Sequence, residues 1–217
     1  MLWFPTGGGK TEAYLGIAAF SIFYRRLTQP DKCNGLVVIM RYTLRLLTVQ
    51  QFERASILIC ACELIRQKYN LPGDEISIGL WVGNGFTPGT LEDADMTLTK
   101  LHATGQCDKK DVNPCQINIC PWCGEKLYPS NYNINISAKR MEIKCHNPQC
   151  DFNNIPLPIR LVDEEIYVHR PAFLIATVDK FAQIAIQEKT SALQKLKKRK
   201  RLFLKANISV PADTGDL

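Results

Sequence analysis

"FPTGGGKT", Phe4 to Thr11, runs straight into "EAYLGIAAFSIFYRRL". Three consecutive glycines let the backbone turn tightly and bring successive N–H groups up to an anion with no Cβ in the way. The helical period that starts at Glu12 adds the unpaired N–H groups and the positive end of a helix dipole. In such a loop Thr6, Gly7, Gly8 and Gly9 form the cradle. Lys10 reaches the β- and γ-phosphates, and the Thr11 hydroxyl ligates Mg²⁺. The strict phosphate-loop pattern has glycine where this chain has Phe4, so the match is partial. The reading is a nucleotide site for ATP and Mg²⁺ opening a helix.

Outward from that loop, the texture alternates. "GLVVIM", Gly35 to Met40, is a continuous apolar run of the kind found in a strand covered on both faces. From Thr43 to Tyr69 there is neither glycine nor proline, and apolar residues recur at three and four, which predicts a long helix stopped by "NLPGD". "EISIGLWVG" returns to strand character, "NGFTPGT" is a loop, and Leu91 to His102 a helix. "AFLIAT", Ala172 to Thr177, is a further strand, followed by a helical "VDKFAQIAIQ". Strands alternating with helices predict a doubly wound α/β domain with a mainly parallel sheet.

Between these α/β stretches, from about Gly105, the chain becomes rich in Cys, Asn and Pro and loses helical period. Cys120-Pro-Trp-Cys123-Gly is followed by Cys145 and Cys150. Two cysteines two residues apart form a knuckle that fits one tetrahedral metal, and Gly124 suits its turn. The alternating residues between the pairs predict a hairpin joining two knuckles. C-x2-C…C-x4-C points to a structural zinc site on Cys120, Cys123, Cys145 and Cys150, with the second half looser than the usual x2. An iron–sulfur cluster and unmetallated thiols remain alternatives. His146 is adjacent to Cys145 and is expected to be exposed, while Cys107 and Cys115 are spare or substitute ligands. Cys33, Cys60 and Cys62 fall in apolar stretches and read as buried thiols. Trp122, Tyr128 and Tyr132, with Lys126, Lys139, Arg140 and Lys144, would be available on such a module to stack on bases and meet phosphates.

Composition narrows the class. The 217 residues are 46% apolar and carry a net charge of +6. "KLKKRKR", Lys195 to Arg201, holds six basic residues, and without it the chain has 21 basic against 21 acidic ones. The basic excess therefore belongs to a tail that is either solvated or polyanion-binding. No apolar run approaches the roughly 20 residues of a membrane span, and no secretory signal opens the chain. The expectation is a soluble cytoplasmic protein whose cysteines serve metal rather than disulfides.

"PTGGGKTEA" resembles motif I of superfamily 2 (DEAD/DEAH-like) helicases, whose members tolerate a large residue at the position of Phe4. "MRYTLRLLTVQQFERA" is similar to motif Ia, and "IATVDKFAQ" to a later motif of the same motor domain, with Val178 in place of its usual proline. Together with "ICACE" and the cysteine module before "ATVDKF", the pattern resembles the DrmA-type helicases of DISARM anti-phage defence systems. The resemblance spans roughly Leu2 to Ala185. It implies a RecA-like first motor domain, ATP hydrolysis, and a nucleic-acid partner, DNA before RNA. Arg41, Thr43, Arg45, Gln50, Thr177 and Lys180 are then the backbone-phosphate contacts. It further implies residues 1–104 as the first part of that domain and 105–165 as an inserted zinc-ribbon-like module. Residues 166–190 return to the motor domain, and 191–217 form a poorly ordered basic tail.

A hydrolytic site of this kind needs an Asp-Glu pair at a strand end to hold Mg²⁺ and orient water. After "ATVDKFAQ" no such pair follows an apolar strand, and "VDEE", Val162 to Glu165, stands in the wrong order. The expectation is an incomplete sheet in a fragment of a helicase, able to bind ATP without turning it over alone. Its missing partners would be the remainder of the helicase or other defence subunits. A zinc-stabilised nucleic-acid-binding or regulatory module with a vestigial loop is the alternative.

Overall fold

Four parallel strands form the centre of the domain in the order β1-β6-β2-β5. They are β1 (Val38–Tyr42), β2 (Ile78–Trp81), β5 (Ile159–Arg160) and β6 (Phe173–Thr177). A separate antiparallel hairpin pairs β3 (Tyr132–Asn135) with β4 (Arg140–Ile143). The helices are α1 (Lys10–Thr28), α2 (Arg45–Lys68), α3 (Leu91–Thr104) and α4 (Asp163–His169). The computed structural model describes residues 10–42, 45–83, 85–108, 110–178 and 180. The glycines of the phosphate loop, Thr43 and the basic tail lie outside these residues.

"FLIAT" makes the middle strand because all five residues are buried and hydrogen-bonded on both sides, to β1 and to β2. Alternation along β2 and β6 sends Ile78, Leu80, Phe173 and Ile175 to one face. There they share a core with Phe52, Ala55 and Ile59 of α2 and Ala18 and Ile22 of α1. The other face is covered by the short α4. A Cβ on Gly79 would lie 2.9 Å from Pro171 Cγ and 3.3 Å from Ile166 Cγ1, so glycine is what lets α4 approach β2. Beside it Trp81 meets Tyr167 edge to face at 6.2 Å between ring centres.

The expected strands and helices up to "AFLIAT" are present among the described residues, with two differences, while the helix expected over "VDKFAQIAIQ" lies outside the described residues. β1 is half-buried rather than covered on both faces: it ends the sheet among the described residues, and Ile39 and Arg41 face outward where α4 does not reach. The parallel sheet also resumes earlier than expected, since β5 at Ile159 pairs with β2 at Ile78 inside the stretch assigned to the insertion. A two-residue strand directly after Pro158 shows too little period to be read from sequence.

The turns follow their chemistry. Thr90 Oγ1 accepts the Asp93 N–H at 3.1 Å and caps α3, and Gly105, at φ 68°, closes it through its N–H to the Leu101 carbonyl. "NLPGD" stops α2 and is clasped by buried Arg26 of α1, whose guanidinium donates to the carbonyls of Pro72 and Asp74. Glu63, the acidic end of "ICACE", is buried and accepts from Arg66, Gln67 and the Ile76 N–H, tying α2 to the approach of β2.

Candidate functional site

The hairpin module is not a satellite. Ile117, Cys120, Leu127, Tyr132, Met141, Ile143 and Phe152 belong to the same continuous core as α2 and the parallel sheet. The Leu157 N–H donates to the Ile143 carbonyl at 2.8 Å, and His102 on α3 meets the Pro129 carbonyl at 2.9 Å. Tyr132 is 1% exposed and its hydroxyl donates to the Ile117 carbonyl at 2.6 Å. It is therefore a core residue and not a stacking platform, whereas Trp122 and Tyr128 are exposed.

At the tip of the module Cys120, Cys123, Cys145 and Cys150 converge, all four sulfurs within 4.8 Å of one another. Cys123 and Cys145 are 3.5 Å apart, Cys120 and Cys150 3.9 Å, and none is disulfide-bonded. A tetrahedral ion with metal–sulfur bonds of about 2.3 Å sets its sulfurs about 3.8 Å apart. These two separations lie near that edge, and with every sulfur within 4.8 Å of the others the four thiols form a donor set of the size that one metal ion takes. A cluster would need wider spacing, because its thiolates bind different irons across a sulfide core.

Local chemistry builds each knuckle. Gly124, at φ 80°, lets the chain double back so that its N–H reaches the Cys120 carbonyl, while the Cys120 N–H donates to the Glu125 carbonyl at 2.7 Å. The longer second spacing is absorbed by Asn147. Its side chain accepts the Gln149 N–H, its carbonyl accepts the Cys150 N–H, and its own N–H points at Cys145 Sγ at 3.4 Å. Asn153 Nδ2 donates to the Cys145 carbonyl at 3.0 Å, and Trp122 Nε1 to Asp151 at 2.7 Å, which joins the two knuckles. Gly124 and Trp122 stood out in the sequence, whereas Asn147, Asp151 and Asn153 did not; "HNPQC", with its turn-forming Asn-Pro, carries the signal for the first of these.

The thiols differ in acidity. Burial pushes Cys120 up to about 11 and raises Cys150. Burial also acts upward on Cys123, but the Glu125 N–H and the neighbouring thiols outweigh it and lower its value. Outside the cluster, burial raises Cys60, Cys62 (to about 11) and Cys115 (to about 12), consistent with inert thiols. His146 is exposed and lies outside the ligand set.

Among the described residues, Lys10 and Thr11 open α1, and Arg41, Arg45, Gln50, Thr177 and Lys180 lie at or soon after the carboxyl ends of β1 and β6. Arg25, in the last turn of α1, donates to the carbonyls of Lys32, Asn34 and Leu36 just before β1. The C-terminal end of α1 thus sits at the amino end of β1, and Lys10 and Thr11 open the helix at the carboxyl end. Burial, and after it Tyr14 of α1, raise the Tyr42 hydroxyl above its ordinary value. Arg41 is exposed on β1, Arg45 begins α2, and Gln50 is exposed in its second turn.

Thr177 ends β6 and Lys180 comes three residues later, and both are buried. The Lys180 ammonium lies 2.5 Å from Asp163 and 5.7 Å from the Trp81 ring centre, so it is engaged inside the fold rather than at the surface. Asp163 opens α4, and burial raises its carboxyl although Lys180 opposes this. Two residues on, Glu165 is wholly buried, with Oε1 3.4 Å from Arg160 Nε, and Arg160 also reaches Glu75. Of the three carboxylates of "VDEE", Asp163 and Glu165 therefore face internal cations, while Glu164 accepts the Leu91 N–H at 3.0 Å.

No protein-family model matches this sequence. Among curated proteins, the chain is 43% identical over 206 residues to the DISARM protein DrmA of Bacillus paralicheniformis. That alignment takes in 89% of this chain and 18% of the relative, so the chain spans under a fifth of the length of the protein it resembles.

Proposed function

We propose that the chain is the phosphate-loop portion of an ATP-dependent superfamily 2 translocase serving phage defence of the DISARM type. In this reading the parallel sheet is part of a RecA-like motor domain, and one zinc ion staples its inserted module. The observation that carries it is the convergence of the α1 start, the ends of β1 and β6 and the start of α4 on one carboxyl edge, where open α/β sheets take ligands. The likeness to DrmA supports the biological setting.

The residues then divide the work. Backbone N–H groups of Thr6 to Gly9 cradle the phosphates, Lys10 neutralises them, and the Thr11 hydroxyl holds Mg²⁺. ATP supplies the phosphoryl transfer that drives movement. Arg41, Thr43, Arg45, Gln50 and Thr177 grip the DNA backbone without reading sequence, and Lys180 holds the turn after β6 through Asp163. Cys120, Cys123, Cys145 and Cys150 ligate zinc, which supplies folding free energy.

Because Asp163 and Glu165 are held by Lys180 and Arg160, the chain by itself is expected to bind Mg-ATP weakly and to show no steady ATPase. Titration calorimetry with Mg-ATP tests this. Lys10→Ala should abolish binding, whereas unchanged binding would refute the reading. Loss of nucleotide binding in the wild type with DNA binding retained would favour a zinc-stabilised nucleic-acid module, with exposed Trp122 and Tyr128 as its platform.

A further inference from the structure

α1 carries apolar side chains on two opposite sides. Ala18 and Ile22 face the core, with Leu15 and Ala19 packed beside them. Across the helix, at spacings of three, four and three, Ile17, Phe20, Tyr24 and Leu27 are 42%, 66%, 56% and 65% exposed. At about 100° per residue these four fall within an arc of roughly 80° opposite the core-facing side. The Phe20 and Tyr24 rings stack with centres 5.6 Å apart, forming a continuous ridge. A helix apolar on all sides is normally a buried one, and no helix among the described residues is long and apolar enough to cross a membrane.

We propose that this outer face of α1 is an internal packing surface in a polypeptide of the DrmA kind, covered by an apolar segment lying outside the 206 aligned residues. The size of the ridge selects this occupant. Four large side chains, each partly exposed, offer on the order of 400 Å², against about 800 Å² per partner in a stable protein–protein interface. A second copy docking on so small a patch would have to overcome about 4–15 kcal/mol of lost translational and rotational freedom. A segment of the same polypeptide meets no such cost, and the relative has more than four-fifths of its length outside the alignment to supply one. The inference does not depend on nucleotide or metal binding.

The test compares two contexts. Phe20→Gln/Leu27→Gln is made in the 217-residue chain and in a chimera in which this chain replaces the matched stretch of Bacillus paralicheniformis DrmA. In the isolated chain the substitutions should leave Tm unchanged or raise it, and wild type and variant should both stay monomeric by light scattering across a concentration series. In the chimera the same pair should lower Tm by several degrees. Hydroxyl-radical footprinting of the unsubstituted proteins, which needs no variant to fold, should show Phe20 and Tyr24 protected roughly tenfold in the chimera relative to the isolated chain. Equal labelling in the two contexts overturns the proposal. So does a concentration-dependent dimer of the isolated chain that the double substitution abolishes, which would make the occupant a second copy.

Discussion

Removal of the metal proposed for the four-cysteine centre should lower the Tm of the whole described domain, which should still unfold in one transition. Two of the sulfur pairs already stand at 3.5 and 3.9 Å, near the tetrahedral edge of about 3.8 Å, and all four sulfurs lie within 4.8 Å of one another, so the proposed ion would close a largely formed site. Metal held a thousandfold above its Kd contributes about 4 kcal/mol to stability by linkage. For a domain of this size Tm moves about 2–4 °C per kcal/mol, so a strong chelator should lower it by about 8–16 °C. Cys145→Ser should do the same, since Cys145 is 1% exposed and its carbonyl and sulfur are both engaged. His146→Ala, at an exposed neighbour, should leave Tm unchanged. The transition should remain single because Cys120, Cys145 and Cys150 share one core with α2 and the sheet. The assay is a far-UV melt with and without chelator, alongside elemental analysis expected to show one zinc per chain. Two outcomes would refute the reasoning: a melt indifferent to chelation, or a biphasic one in which the α/β part keeps its original Tm.

Three further outcomes follow from packing and charge. Gly79→Ala should cost about 1–3 kcal/mol, read by denaturant unfolding, because its Cβ would lie 2.9 Å from Pro171 Cγ and 3.0 Å from Leu174 Cδ1. Lys180→Ala should cost about 3–5 kcal/mol by leaving Asp163 buried without its cation; Lys180→Ala/Asp163→Ala together should cost less than the sum of the singles in a double-mutant cycle. Glu165, raised by burial to about 8 against Arg160 and Arg140 and with Glu75 nearby, takes up its proton more readily folded than unfolded. Its contribution is therefore fully present below the unfolded carboxyl value of about 4.5 and is lost as pH rises to about 8, by at most about 5 kcal/mol. Melts between pH 5 and 8.5 at saturating zinc should show that decline, and Glu165→Gln should flatten it.

Much of the fold was legible in local pattern. The period of three and four over Thr43 to Tyr69 and the apolar run of "AFLIAT" are signals each residue carries with its neighbours, and α2 and β6 formed where they indicated. The cysteine ligands were legible for the same reason: a knuckle is a local turn, and C-P-W-C-G encodes it within five residues. β5 was not legible, because two residues have no period of their own and become a strand only by pairing with β2. Lys180 and Tyr132 illustrate the same boundary at the site. Their residue types suit contact with nucleic acid, but a side chain's availability depends on what folds over it, here Asp163 for one and the core around Ile117 for the other.

By itself, then, the sequence determined the chemistry on offer: a glycine-lysine-threonine turn opening a helix, four thiols in two turns, and alternating apolar segments that must bury. Only the tertiary structure decided which of those groups meet. It brought two knuckles 22 residues apart to one tetrahedral spacing, set the helix starts on one sheet edge, withdrew Lys180 into an ion pair, and left one side of α1 uncovered. The reason is physical: periodicity and turn chemistry act over a few residues, whereas burial and charge pairing depend on neighbours that sequence distance does not specify.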